Sequence, residues 1–293
     1  MRCAHRFSRA LPSLLIVALL GCSASVPTAP AIPFAPYGSG YASKPDFNEV
    51  EHRYPLSAAD RVHLTPQSLA ALDQEQLDQL YARLSAGAMP DGPYEGRVLL
   101  PRSAAGDVSL ADPAGRFGAT ALQLKGLSLT DITPILWRGK VFDREQGVLR
   151  NRIDDLSSLR KLGLIDAEPA PVSIGGETTW LLFPAKVFCG QSLLDARRES
   201  IVADYAFADD IAGYRDQPDY IAGRRGLRVR EEMRMVRPGF YLGRAYVDRV
   251  FALDFILYNE LVAREAGDRF AVDGAVEEAC WTGTHAGRAA ALR

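Results

Sequence analysis

The chain has 293 residues, 47% of them apolar, with 34 basic and 36 acidic side chains and a formal charge of −2. Its basic residues are scattered rather than grouped, which excludes the electrostatic footprint that a nucleic-acid partner requires. Beyond Leu20 no stretch approaches the roughly 20 consecutive apolar residues of a membrane-spanning helix.

Arg2, Arg6 and Arg9 precede a run from Leu11 to Leu20 that is apolar apart from Pro12 and Ser13, and Leu19-Leu20-Gly21-Cys22 closes it. A basic start, an apolar stretch too short to span a bilayer and small residues at the break read as an export signal over residues 1–21. The Leu-x-Gly-Cys ending resembles that of bacterial lipoproteins, which implies a lipid on the Cys22 thiol and Cys22 as the first mature residue. Such a chain contributes about 0.8 kcal/mol of membrane binding per buried methylene. Ser23 follows the cysteine where some members of that family carry Asp, which implies delivery to the outer membrane. The expected address is the cell envelope, facing the periplasm, with the membrane as partner through the N-terminal lipid. Losing residues 1–21 removes three arginines and no acids, so the mature charge moves from −2 to about −5.

Residues 22–45, rich in Ser, Ala, Pro and Gly, read as a flexible tether. A single α+β domain is expected over 46–293, with a helical part over 60–137 and a barrel part over 138–260. Thr65-Pro66 is a capped helix start and Gly87 a stop; between them Leu69, Leu72, Leu77, Leu80, Tyr81 and Leu84 form one apolar face. A second helical pattern covers 119–136. Strand patterns follow at 95–100, 138–143, 147–153, 179–188, 198–207, 227–236, 240–247 and 249–258. About eight strands is the number at which an antiparallel sheet closes into a small, lipocalin-like barrel with room for one ligand. With Cys3 lost and Cys22 lipidated, Cys189 and Cys280 remain; in an oxidising compartment they are expected to form a disulfide.

Two turns fix a register near the C-terminal end of the barrel. Bends at Pro238-Gly239 and Asp248-Arg249 place Met233 opposite Arg244, Glu231 opposite Tyr246, and Arg244 opposite Leu253. One face then holds Val229, Met233, Met235, Leu242, Tyr246, Phe251, Leu253, Phe255 and Leu257, interrupted only by Glu231 and Arg244. A buried pair of opposite charges is either a structural ion pair or a polar anchor for the head group of an apolar ligand. In the second case Glu231, Arg244 and Tyr246 form the binding site. Asn151, inward beside Leu149 and Ile153, adds a further polar group. A slip of one residue would exchange the two faces.

No Gly-x-Ser-x-Gly elbow, His-Glu-x-x-His, paired-cysteine or Asp-rich calcium motif occurs, and His52, His63 and His285 stand apart. No catalytic residue, metal or cofactor is therefore nominated. Leu136–Asp143, Gly147–Ile153 and Arg237–Gly243 resemble segments of uncharacterised bacterial proteins, a resemblance that implies no activity. Three functions remain open. The first is a membrane-anchored lipoprotein binding an apolar small molecule or lipid in the barrel. The second is an envelope enzyme of hydrolase type acting on lipid, glycan or ester. The third is a structural or assembly lipoprotein without a small ligand.

Overall fold

The computed structural model describes residues 31–99 and 137–283, apart from 162 and 166. Cys22, His285 and the helix expected over 119–136 lie outside the described residues. Nine strands are described: β1 (Gly92–Leu99), β2 (Gly139–Asp143), β3 (Val148–Ile153), β4 (Val172–Ile174), β5 (Glu177–Gln191), β6 (Glu199–Asp204), β7 (Val229–Arg237), β8 (Phe240–Val247) and β9 (Val250–Tyr258). Eight of them form a ring in the order β3-β2-β1-β9-β8-β7-β6-β5, closed by an antiparallel β3–β5 pairing, while β4 pairs only with β5. Closure leaves no unpaired edge in the ring itself. The barrel expected from the strand patterns is therefore present; β4, a short hairpin arm before Gly175-Gly176, has too little periodicity to be read in advance.

Among the described residues seven α-helices accompany the barrel: α1 (Phe47–Arg53), α2 (Ala58–Val62), α3 (Pro66–Leu69), α4 (Gln74–Ala82), α5 (Ser157–Lys161), α6 (Asp216–Asp219) and α7 (Glu260–Asp273). The single helix expected over 65–87 is two. Asp73 accepts a hydrogen bond from the Gln76 N–H, and the Gln76 Oε1 accepts one from the Asp73 N–H, a capping box that starts a new helix in mid-pattern. The apolar face survives the break. Leu69, Leu72, Leu77, Leu80 and Leu84 are buried against Val236, Phe240, Leu242 and Ile256 on the outer side of β7–β9. Helix α7 was not anticipated, although Asn259 caps its first turn and Gly274, at φ 64°, ends it. The segment read as a tether is packed from residue 31 onward. Ile32 and Ala35 are buried, and the Gln79 amide bonds both the N–H and the C=O of Ala35, at 2.9 and 3.1 Å.

The two bends fall where the sequence put them: Gly239 has φ 72°, and Asp248 and Arg249 have φ 52° and 69°. The register beyond them differs. A bulge between Met235 and Arg237 sets Met235 against Tyr241, Met233 against Gly243 and Glu231 against Ala245. A second irregularity, at Ala245/Tyr246, sets Arg244 against Asp254 and Leu242 against Ile256. Each extra residue reverses the inward–outward alternation on one strand. Met233, Met235, Leu253, Phe255 and Leu257 remain in the lumen as expected, whereas Leu242 turns out toward the helices.

Aromatic side chains pack within the lumen. Tyr94 packs edge-on to Phe142 and to Tyr241, with ring centres 5.6 and 5.7 Å apart, and Trp137 packs likewise on Phe255 at 5.5 Å. Phe255 lies so close to the wall that a Cβ on Gly243 would stand 2.2 Å from its ring. Trp137 presses in the same way on Gly96, at 2.5 Å. An eight-stranded barrel is just wide enough for its own side chains, and here bulky rings face glycines to use that width. Cys189 on β5 and Cys280 beyond α7 are joined by a disulfide, as expected from the cysteine count.

Candidate functional site

Strand β2 carries Lys140 inward, two residues from the lumenal Phe142, and pairs it directly with Asn151 on β3. Tyr205, just past β6, and Glu231 on β7 complete a cluster inside the barrel. The Lys140 Nζ donates to Asn151 Oδ1 at 2.7 Å and to the Tyr205 hydroxyl at 3.0 Å, and it meets Glu231 Oε2 at 2.8 Å. The Tyr205 hydroxyl donates to Glu231 at 3.0 Å. Asn151 Nδ2 donates to Tyr205 at 2.9 Å and to the Phe183 carbonyl at 3.0 Å, while Trp137 Nε1 donates to Asn151 Oδ1 at 2.8 Å. The Phe183 carbonyl is free to accept because β5 bulges there, with Phe183 at φ 49°.

This constellation is saturated. Lys140 has spent its three donors, and Asn151 has used both N–H bonds and two acceptances. Lys140 is 0% exposed and also lies 5.1 Å from the Trp137 ring centre and 5.5 Å from that of Phe255, so the rings add cation–π attraction. Burial pulls the Lys140 amine below its ordinary pKa, with Glu231 acting in the opposite sense. Burial, and then the Glu231 charge, hold the Tyr205 phenol well above its ordinary range. The result is a neutral phenol beside a compact ion pair.

Arg244 lies across the sheet from this cluster, on the outer side, beneath α4. Its Nη1 meets Asp78 Oδ1 at 2.5 Å and Asp254 Oδ1 at 3.1 Å, and its Nε donates to the Tyr246 hydroxyl at 3.2 Å. Phe251 belongs to the same side, its ring centre 4.3 Å from the guanidinium. Burial opposes the Arg244 charge, but Asp254 and Asp78 outweigh it and raise the pKa well above the ordinary value. Burial pushes the Tyr246 phenol up to about 12.

The expectation that Glu231 and Arg244 share one face is thus corrected, and the bulge between Met235 and Arg237 is the reason. Asn151 joins Glu231 through Lys140 and Tyr205; Tyr246 joins Arg244 on the other side of the wall. Neither set points into solvent. Lys140, Tyr205, Trp137, Asp78 and Asp254 were missed. Lys140 did carry a signal, since it alternates with Phe142 in a short strand and so had to face inward.

A hollow of about 300 Å³ lies on the outer wall of β2, β3 and β5. Val141, Val148 and Leu181 give it an apolar lining, with Asp91, Asp143 and Arg150 among them. Arg150 is already committed to the Ala212 carbonyl at 2.5 Å. Among the described residues, the one group of metal-ligating atoms close enough to share an ion is Cys189, Cys280 and Glu199, and both sulfurs are taken up by the disulfide. No helix among the described residues is long and apolar enough to cross a membrane. Compared with protein-family models, with curated proteins and with solved structures, the chain matches none.

Proposed function

We propose that the protein is a lipid-anchored envelope lipoprotein that works as a binding scaffold, presenting the outer wall of a filled barrel to a partner rather than carrying a ligand inside it. The observation that carries this reading is the saturated Lys140–Glu231–Asn151–Tyr205 cluster among packed rings, whose N–H and O–H donors are all engaged with one another or with the Phe183 carbonyl. The outer hollow has room, an apolar floor and two carboxylates, Asp91 and Asp143, against the single cation Arg150, which leaves its lining with a net negative charge. Charge complementarity favours a cationic group on an apolar stem, the lysine or arginine side chain of a partner protein. The acidic balance of the mature chain favours the same class. Titration of an isotope-labelled soluble domain with a basic amphipathic peptide tests this. Shifts at the Val141 and Leu181 methyls, weakened several-fold by the Asp91→Asn/Asp143→Asn pair, are expected; shifts confined to other surfaces would reject the site.

An apolar small molecule or lipid in the lumen is the second reading. Met233 and Met235 favour it, because unbranched thioether side chains repack readily around a guest. It requires the rings over Gly243 and Gly96 to move aside.

A further inference from the structure

A second set of buried charges sits at the seam between α4 and strands β8 and β9, and among the described residues it does not balance. Asp78 and Asp254 bring two carboxylates and Arg244 one guanidinium, and none of these side chains is more than 8% exposed. The other groups facing them are Gln74, Glu75 and Tyr81 on α4, the last with its ring centre 5.6 Å from the Arg244 guanidinium, Tyr246 on β8, and Glu232 on β7, directly opposite Arg244. Glu232 is held by Arg230 at 3.1 Å and by the Leu193 N–H at 2.9 Å, while Glu75 faces Lys44 at 3.5 Å. Strand β1 sets the apolar Leu99 opposite Asp254 and, one pair further along the same face, the exposed Arg97 opposite Ile256. Among the described residues, no second cation lies within ion-pair reach of Asp78 or Asp254.

Gln74 Nε2 donates to both carboxylates, at 2.8 Å to Asp78 and 2.7 Å to Asp254, so one amide ties the helix to the barrel. Asp254 Oδ1 makes no hydrogen bond, although it stands in the ion pair with Arg244. An uncompensated buried charge is expensive, and a carboxyl group in that position takes up a proton instead.

We propose that Asp254 is the proton-binding site of this seam, and that its proton latches α4 against the barrel. Once the proton leaves, two carboxylates confront one guanidinium in a dry interface and the seam loosens. Burial pushes the Asp254 carboxyl up to about 7, outweighing Arg244, and the nearby Asp78 adds to the rise. A carboxyl raised in the folded state stabilises fully below its unfolded pKa, and that contribution is lost as the pH climbs through the folded value. The same helix carries Gln79, which clamps Ala35, so the latch also governs the segment leading toward Cys22. Only this last consequence rests on the anchored reading.

The test compares denaturant unfolding of the soluble Cys22→Ser protein with and without Asp254→Asn, between pH 5 and 8; removing the lipid keeps the result independent of the anchor. The parent unfolding constant is expected to rise by up to about tenfold per pH unit below pH 7 and to level off above it. The Asn variant is expected to lose that slope. Equal slopes in both proteins would overturn the proposal. Should the variant fail to fold, carbon NMR titration of the parent Asp254 carboxyl decides: a midpoint near 7 upholds the latch, and one in the ordinary aspartate range rejects it.

Discussion

Lys140 and Glu231 meet inside the barrel at 2.8 Å, and the lysine side chain is entirely out of reach of solvent. The pair is bracketed by Tyr205 and Asn151, so removal of either charge strands the other among rings and leaves donors unmet. Lys140→Met is accordingly expected to destabilise the protein by about 3 to 5 kcal/mol, and the double variant Lys140→Met/Glu231→Leu to recover much of that loss. Denaturant unfolding of the two singles and the double measures it. Additive losses would mean that the pair is not a unit.

Packing over Gly243 gives a second expectation. An added methyl there would stand 2.2 Å from the Phe255 ring, which has Trp137 on its other side and cannot simply withdraw. Gly243→Ala should cost about 1 to 3 kcal/mol, with partial rescue by Phe255→Leu. Thermal unfolding of both variants checks this, and a neutral Gly243→Ala would show that the lumen has slack.

The disulfide between Cys189 and Cys280 fastens the segment after α7 to β5. Replacing both cysteines by serine should lower stability by about 2 to 5 kcal/mol, and reduction should do the same to the parent protein. The comparison is made in denaturant under oxidising and reducing conditions. Identical curves would contradict a bonded pair in solution.

The proposed anchoring rests on Cys22. In a host that processes lipoproteins, Cys22→Ser is expected to move the protein from the membrane fraction to the soluble periplasmic fraction, read by fractionation and by intact mass of the N-terminus. A parent protein found soluble and unacylated would remove the anchor from the account. Ile32 and Ala35, within the stretch read as a tether, pack against the helices instead.

Much of the architecture was legible, for identifiable reasons. Alternation in Val148–Ile153 and Val250–Tyr258, and turn chemistry at Pro238-Gly239 and Asp248-Arg249, depend on neighbours in sequence, and these features placed the strands and closed the barrel. The bulges at Val236 and Ala245/Tyr246 depend on how strands fit across the ring, and no residue type announces them. One displaced residue was enough to send Arg244 and Tyr246 to the outer wall while Glu231 and Asn151 stayed within. Tyr205 was missed for a similar reason: it follows its strand, and closure of the ring, not the alternation of β6, brings its hydroxyl to Lys140. The capping box at Asp73 was readable in the sequence, but the unbroken apolar stripe from Leu69 to Leu84 masked it.

The most direct measurement is mass spectrometry of an organic-solvent extract of the purified Cys22→Ser protein. A barrel filled by its own rings and sealed by the Lys140–Glu231 cluster should release no lipid in stoichiometric amount. One equivalent of a lipid or other apolar molecule, recovered reproducibly, would contradict the filled lumen and return the binding site to the inside of the barrel.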